Sequence, residues 1–169
     1  AGATSSGGGA SIDGSTVTIT APGTYVLSGT VAGQVVVNSS AEGKVRLVLD
    51  DASITSSTGS AVNVVAADEV VVVLSDASTY VYARADVDEP NAAIFSAADL
   101  TIFGEGALVV NGNANDGIAS KDGLVIQSGT ITVTAVDDGI RGKDYLIVEG
   151  GTVAVTAGGD ALKSDNTDD

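Results

Sequence analysis

Asp116-Gly117-Ile118-Ala119-Ser120-Lys121-Asp122-Gly123-Leu124 returns 22 residues later as Asp138-Gly139-Ile140-Arg141-Gly142-Lys143-Asp144-Tyr145-Leu146, and again, with departures, as Asp160-Ala161-Leu162-Lys163-Ser164-Asp165-Asn166. Short alternating apolar runs fill the intervals. A period near 22 with apolar alternation of two predicts an all-β parallel β-helix, in which each repeat is one turn of a solenoid. Equivalent residues then stack one strand spacing apart, about 4.8 Å. The expected inward columns are Leu124/Leu146, Ile126/Val148, Ile131/Val153, Val133/Val155 and Ile118/Ile140/Leu162. Asp116, Asp138 and Asp160 form a further column, read as like charges with nothing between them. Two unit charges at that spacing repel by about 3.5 kcal/mol at an effective dielectric near 20. Such a column is either fully solvated or neutralised by a bound cation, and a hard, oxygen-seeking ion such as Ca²⁺ suits it best.

Upstream, Leu100-Thr101-Ile102 precedes Leu124 by 24 residues, and Leu47-Val48-Leu49 reads as an earlier partner of Val71-Val72-Val73. Leu108-Val109-Val110, Ile131 to Thr134 and Val153 to Thr156 mark a second strand per coil, and Ile94, Ile118, Ile140 and Leu162 a short third one. The expectation is a β-solenoid with three short strands per coil of 22–24 residues, irregular early and regular late. Val31 to Asn38 reads as one strand. Ala21-Pro22-Gly23 is a turn that starts either a hairpin or the first coil. Residues 1–10 are small and Gly/Ser-rich and read as a flexible start, residues 11–169 as one β-helix domain, and residues 83–91, with Asp86, Asp88, Glu89 and Pro90, as a loop thrown outward.

Composition narrows the chemistry. The chain of 169 residues has no Cys, His, Trp or Met, and 22 acidic residues against 7 basic ones give a net charge of −15. Thiolate, imidazole and disulfide chemistry are therefore absent. Nucleic acid and anionic membranes are disfavoured partners, and an anionic ligand needs a bridging cation. The longest uninterrupted apolar run is strand-length, so no membrane span is expected.

Stacking groups the acidic residues into two columns. Asp116, Asp138 and Asp160, with Asn115 and Asp137 one position before, form the first; Asp122, Asp144 and Asp165 or Asn166 form the second. Calcium takes six to eight oxygens at about 2.3–2.6 Å, which aspartates on adjacent coils plus turn carbonyls can provide. The simpler reading is that these are Asp-Gly corner residues facing solvent. Four of the seven basic residues, Lys121, Arg141, Lys143 and Lys163, fall in the same repeats, where they either contact a sugar carboxylate or neutralise neighbouring aspartates. Tyr145 is the one aromatic inside the repeated turns. Around Asp86, Asp88 and Glu89 the EF-hand pattern fails, with Asn91 where Gly is needed and Ala97 where Glu is needed.

With these repeats, and with Pro22-Gly23-Thr24-Tyr25-Val26-Leu27-Ser28-Gly29 and Leu47-Val48-Leu49-Asp50 upstream, the chain from Ile12 resembles the secreted bacterial carbohydrate-binding β-helix family described as polysaccharide-lyase-like. Ala161 departs from it, standing where the third repeat of the family usually has Gly. The resemblance implies a right-handed parallel β-helix, bound calcium, secretion, and affinity for cellulose or for an acidic plant polysaccharide such as polygalacturonate. The leading expectation is non-catalytic, calcium-dependent polysaccharide binding at the cell exterior. Two alternatives are a subunit of an extracellular filament or surface layer, a homopolymer stacked head to tail through its solenoid ends, and a calcium-dependent lyase using Arg141 or a stacked lysine as base.

Overall fold

The computed structural model describes residues 8–85 and 88–166, and the described chain is a parallel β-solenoid of about six turns with no helix. Most of the Gly/Ser-rich start, and Asp86 of the loop, lie outside the described residues. Strands β1 (Ala10–Asp13) and β2 (Thr16–Ile19) pair antiparallel across a turn at Gly14, and every later pairing among the described residues is parallel. The solenoid has three faces. The first stacks β2, β4 (Gln34–Asn38), β6 (Val62–Ala66), β9 (Ala92–Ser96), β12 (Asp116–Ser120), β15 (Ile140–Gly142) and β18 (Leu162–Ser164).

The second face begins with the N-terminal halves of β3 (Gly23–Ala32) and β5 (Lys44–Ser56) and continues through β7 (Glu69–Leu74), β10 (Asp99–Gly104), β13 (Gly123–Ile126) and β16 (Tyr145–Val148). The third takes the C-terminal halves of β3 and β5, then β8 (Ser78–Ala83), β11 (Ala107–Gly112), β14 (Thr130–Ala135) and β17 (Thr152–Ala157). Three strands per coil thus hold from β6 onward. In the two earlier coils one strand of 10 or 13 residues turns the corner unbroken. The register shift at Ser28/Gly29 takes up that corner, and Asp51, at φ 51°, lies opposite. Aspartate is one of the few non-glycine residues that tolerates this region.

One strand expectation needs correction: Val31 to Asn38 is split between β3 and β4 at Gly33. Of the two readings of Ala21-Pro22-Gly23 the first coil holds, and the hairpin lies one turn earlier, between β1 and β2. The register of the early coils is also one residue off the expected one: Leu47 pairs with Val72 and Leu49 with Leu74. Val70 to Val73 is an unbroken valine run, so alternation does not say which side faces inward, and Val71 is buried although it faces outward.

The core is a set of aliphatic columns. Leu124, Ile126, Ile131, Val133, Ile118 and Ile140 are fully buried, each stacked on the expected partner of the next coil. Small β-branched side chains fit this narrow interior because they are stiff at χ1 and pack on the pleat. Gly117 and Gly139 are required by the same closeness. A Cβ at Gly117 would lie 2.3 Å from Val133 Cγ1 and 2.6 Å from the Gly139 carbonyl oxygen, and one at Gly139 would meet Val155 and Ala161 in the same way.

Of the segment that joins β8 to β9, residues 84–85 and 88–91 are described, and contacts from them reach the neighbouring coils. Ala85 is buried, the Pro90 carbonyl accepts from Ser60 Oγ at 3.4 Å, and Glu89 reaches Lys121 at 2.7 Å.

Gly117→Ala is expected to cost about 1–3 kcal/mol of stability by overpacking, lowering the midpoint of a circular-dichroism melt by about 3–10 °C. Thr132→Ser, on an exposed outer position, should leave the midpoint within about 1 °C.

Candidate functional site: two acidic corners

The first aspartate column is a ladder, not a bare stack of charges. Asp116 Oδ1 accepts the backbone N–H of Asp138 at 3.1 Å, and Asp138 Oδ1 accepts that of Asp160 at 2.9 Å. The second oxygen of each takes a cation from the following coil: Arg141 Nη2 lies 3.3 Å from Asp116 Oδ2, and Lys163 Nζ 2.9 Å from Asp138 Oδ2. Asn91 Nδ2 also donates to Asp116 Oδ2, at 3.1 Å. Asp165 bridges the two cations, 3.3 Å from Arg141 Nη1 and 3.8 Å from Lys163 Nζ. The expectation of charges with nothing between them fails because the period that stacks the aspartates also stacks the cations between them.

Burial decides how these groups titrate. Burial pushes the Asp116 carboxyl up, and Arg141 and the Asp138 N–H only partly offset it, while the charges of Asp138 and Asp137 add to the rise. Burial also acts upward on Asp138, but the Lys163 hydrogen bond, the Asp160 N–H and the charges of Lys163 and Arg141 outweigh it and hold the carboxyl below its ordinary value. The hydrogen bond and charge of Asp138 hold Lys163 above the ordinary lysine value.

A different corner, between the first and second faces, collects Asp99, Asp122 and Asp144. Ser120 shapes it, accepting the Asp122 N–H at 3.1 Å and donating to the Ala98 carbonyl at 3.0 Å. The carboxylates of Asp122 and Asp144 accept no hydrogen bond and form no ion pair with a described residue. Burial and the charges of Asp99 and Asp144 raise the Asp122 carboxyl, with Lys143 and Lys121 offsetting in part. Tyr145 packs its ring over Gly123, where a Cβ would collide with it, and its hydroxyl lies 3.3 Å from Asp99 Oδ1, which also accepts the Gly123 N–H at 2.9 Å.

The sequence-predicted residues therefore divide. Asp116, Asp138, Asp165, Arg141 and Lys163 meet in one network, with Asp160 contributing its backbone N–H and an exposed carboxylate. Asp165 is not in the Asp122/Asp144 column: its N–H donates to Gly142 O as those of Lys121 and Lys143 donate to Ser96 and Ser120, so it continues the lysine column. Asp137 is exposed beside the ladder, and its carbonyl accepts the Gly159 N–H at 2.9 Å. Lys121 is paired to Glu89, and Lys143 is exposed near Asp122. The sequence reading missed Asn91 and Asp99. Asp99 was detectable, since Asp99-Leu100, Gly123-Leu124 and Tyr145-Leu146 align; Asn91 was hidden by the loop before it.

The chain matches, over residues 13–169, the family described as carbohydrate-binding domain-containing protein. The chain belongs to this carbohydrate-binding domain family. A member from Acetivibrio thermocellus is 39% identical over 128 residues, 70% of this chain and 45% of the relative, so the domain spans less than half the length of that protein. The solved structure of a polysaccharide lyase-like protein from C. thermocellum, a gadolinium derivative, superposes with a TM-score of 0.92 at 35% identity, covering 98% of this chain and 70% of the other. The carbohydrate-binding domain is thus polysaccharide-lyase-like in fold. No helix among its described residues is long and apolar enough to cross a membrane.

Calcium does not fit the first column as it stands, because Asp116 and Asp138 each already hold a cation and a backbone N–H. Among the described residues no three acidic side chains form a ready metal cage. At the second corner the donor chemistry does fit, since Asp122 and Asp144 are hard oxygen donors that form no ion pair with a described residue, Lys143 and Lys121 acting on Asp122 only from a distance.

Asp138→Asn is expected to lose about 1–3 kcal/mol of folding stability at pH 7 by removing the charge that Lys163 faces. Because the folded carboxyl sits below the ordinary 3.8, this contribution is complete above 3.8 and is lost as the pH falls through the folded value. Urea melts of wild type and variant should therefore differ at neutral pH and converge in acid.

Proposed function

We propose that this domain binds acidic polysaccharide outside the cell, without catalysis, through calcium that joins its second acidic corner to the carboxylates of the ligand. The observation that carries the reading is the set Asp99, Asp122 and Asp144, where burial and then the charges of Asp99 and Asp144 raise Asp122 and Lys143 and Lys121 offset the rise only in part, without an ion pair. Elsewhere in the same coils the carboxylates of Asp116 and Asp138 are matched by a cation of the chain. With a net charge of −15 the domain repels a polyuronate unless a divalent ion intervenes. The ligand's own carboxylates would complete a calcium shell that the domain leaves open, with Lys121, Lys143 and Tyr145 flanking the contact.

The non-catalytic part of the reading rests on the state of the bases. A β-elimination base must be deprotonated at the moment of reaction. Lys163 is held protonated by Asp138, and Arg141, always charged, is engaged with Asp116 and Asp165.

Retention on immobilised polygalacturonate should require Ca²⁺ and vanish in excess chelator. Asp122→Asn combined with Asp144→Asn should weaken it by about tenfold or more, as expected when charged ligands to a bridging ion are removed. Retention that persists undiminished in chelator would sink the calcium bridge, and unsaturated-product absorbance growing with time would sink the non-catalytic reading.

A further inference from the structure

On the second face the side that points away from the core is apolar as well. Val26 pairs with Val48, Val48 with Val73 and Val73 with Phe103, so four successive coils stack apolar side chains outward in one row. In the adjoining row Thr101 pairs with Val125 and Val125 with Ile147, which carries the stripe on to the last coil. Val26 is 64% exposed and Ile147 45%, while Val48, Val73, Phe103 and Val125 are half-buried. Arg46, beside Val71, is the one charged residue within these two rows. The third face is different, since its outer positions on β14 are Thr130, Thr132 and Thr134.

Strands of a parallel sheet that are apolar on both sides are ordinarily covered on both sides. β7, with five apolar residues in succession after Glu69, is of that kind. A contiguous apolar stripe on a domain surface marks a place where another surface docks. Both margins of this one are acidic. Asp50, Asp76, Glu105 and Glu149 line the side toward the third face, with no lysine or arginine among them. Glu69, Asp99, Asp122 and Asp144 line the side toward the first, where Lys44 and Lys121 are already paired with Glu69 and Glu89. We propose that the stripe docks a basic, amphipathic α-helix of another polypeptide, its apolar side on the valines and its lysines or arginines on the two acidic margins. The contact needs no metal ion and goes beyond the carbohydrate reading.

The dimensions of the face fit that occupant. From β3 to β16 it extends about 24 Å along the solenoid axis at ordinary strand spacing, the length of a helix of about 16 residues. Between Asp99 and Glu105 the margins stand about 20 Å apart, and a helix about 10–12 Å across reaches both through side chains of lysine length. An amphipathic helix carries an apolar stripe with charges on either side, which is the complement of this face. A second copy of the chain is not its complement. With a net charge of −15, two copies brought together here would set acid against acid.

The probe is a fluorescent peptide of about 17 residues made of leucine and lysine, patterned so that the leucines share one helical face. A scrambled peptide of the same composition is the control. In anisotropy titrations of the whole domain in chelator, the patterned peptide should bind and gain helical circular dichroism, and the scrambled one should bind about tenfold more weakly. Val26→Glu with Ile147→Glu, at exposed positions, should weaken binding of the patterned peptide by about tenfold or more without moving the thermal midpoint. Glu105→Lys with Glu149→Lys should weaken it too and flatten its dependence on salt. No binding of the patterned peptide, equal binding of the two peptides, or binding unchanged by either pair of substitutions would overturn the proposal. So would sedimentation showing a wild-type oligomer that Val26→Glu with Ile147→Glu dissociates, since copies of the chain would then cover the stripe. Asp122→Asn with Asp144→Asn should keep peptide binding within about threefold, as for charges at an exposed margin, so failure of the calcium corner reads out separately.

Discussion

Parallel register between coils is the constraint from which the rest of this molecule follows. Ile94 pairs with Ile118, Ile118 with Ile140 and Ile140 with Leu162, and each pairing fixes the neighbours of every residue on the coil. A residue type that recurs with the period therefore becomes a column, whatever its chemistry. Aliphatic columns fill the interior, and glycine at 117 and 139 lets the coils close upon each other. Charged columns have no such freedom, because at about 4.8 Å they must be neutralised, solvated or bridged.

The two acidic corners resolve that requirement differently. Along Asp116 and Asp138 the solution is internal: a backbone N–H from the next coil on one oxygen, and Arg141 or Lys163 on the other. Burial still raises Asp116, so desolvation outweighs its ion pair, as expected for charges withdrawn from water. At Asp99, Asp122 and Asp144 the lysines stand near without forming an ion pair with Asp122, and Asp99 takes the Gly123 N–H and the Tyr145 hydroxyl. On the proposed reading, a domain with both corners keeps its repeats together without calcium and needs calcium only to hold an anionic ligand.

Much of this was legible in the sequence, and the rest was not for definite reasons. The solenoid, its late register and its inward columns follow from the 22-residue return, with β14 and β17 adding a visible alternation that the apolar runs of β13 and β16 lack. The early register was not legible, because Val70 to Val73 is apolar on both sides and β3 and β5 run round a corner without a break. At the site, the aspartate columns were visible but their partners were not. Counting by 22 places Asp138 over Asp116; it takes side-chain reach across 25 positions to place Lys163 on Asp138.

Calcium bridging at the second corner is the central claim, and Tyr145 offers a direct probe of it, since its hydroxyl lies 3.3 Å from Asp99 Oδ1. Terbium, a luminescent stand-in for calcium, emits when excited through a nearby tyrosine. With calcium bridging at this corner, sensitised emission should rise when terbium and an oligogalacturonate are both present, fall on adding excess Ca²⁺, and be lost in Asp122→Asn with Asp144→Asn. Emission unchanged by those substitutions, or none at all with both components present, would contradict it.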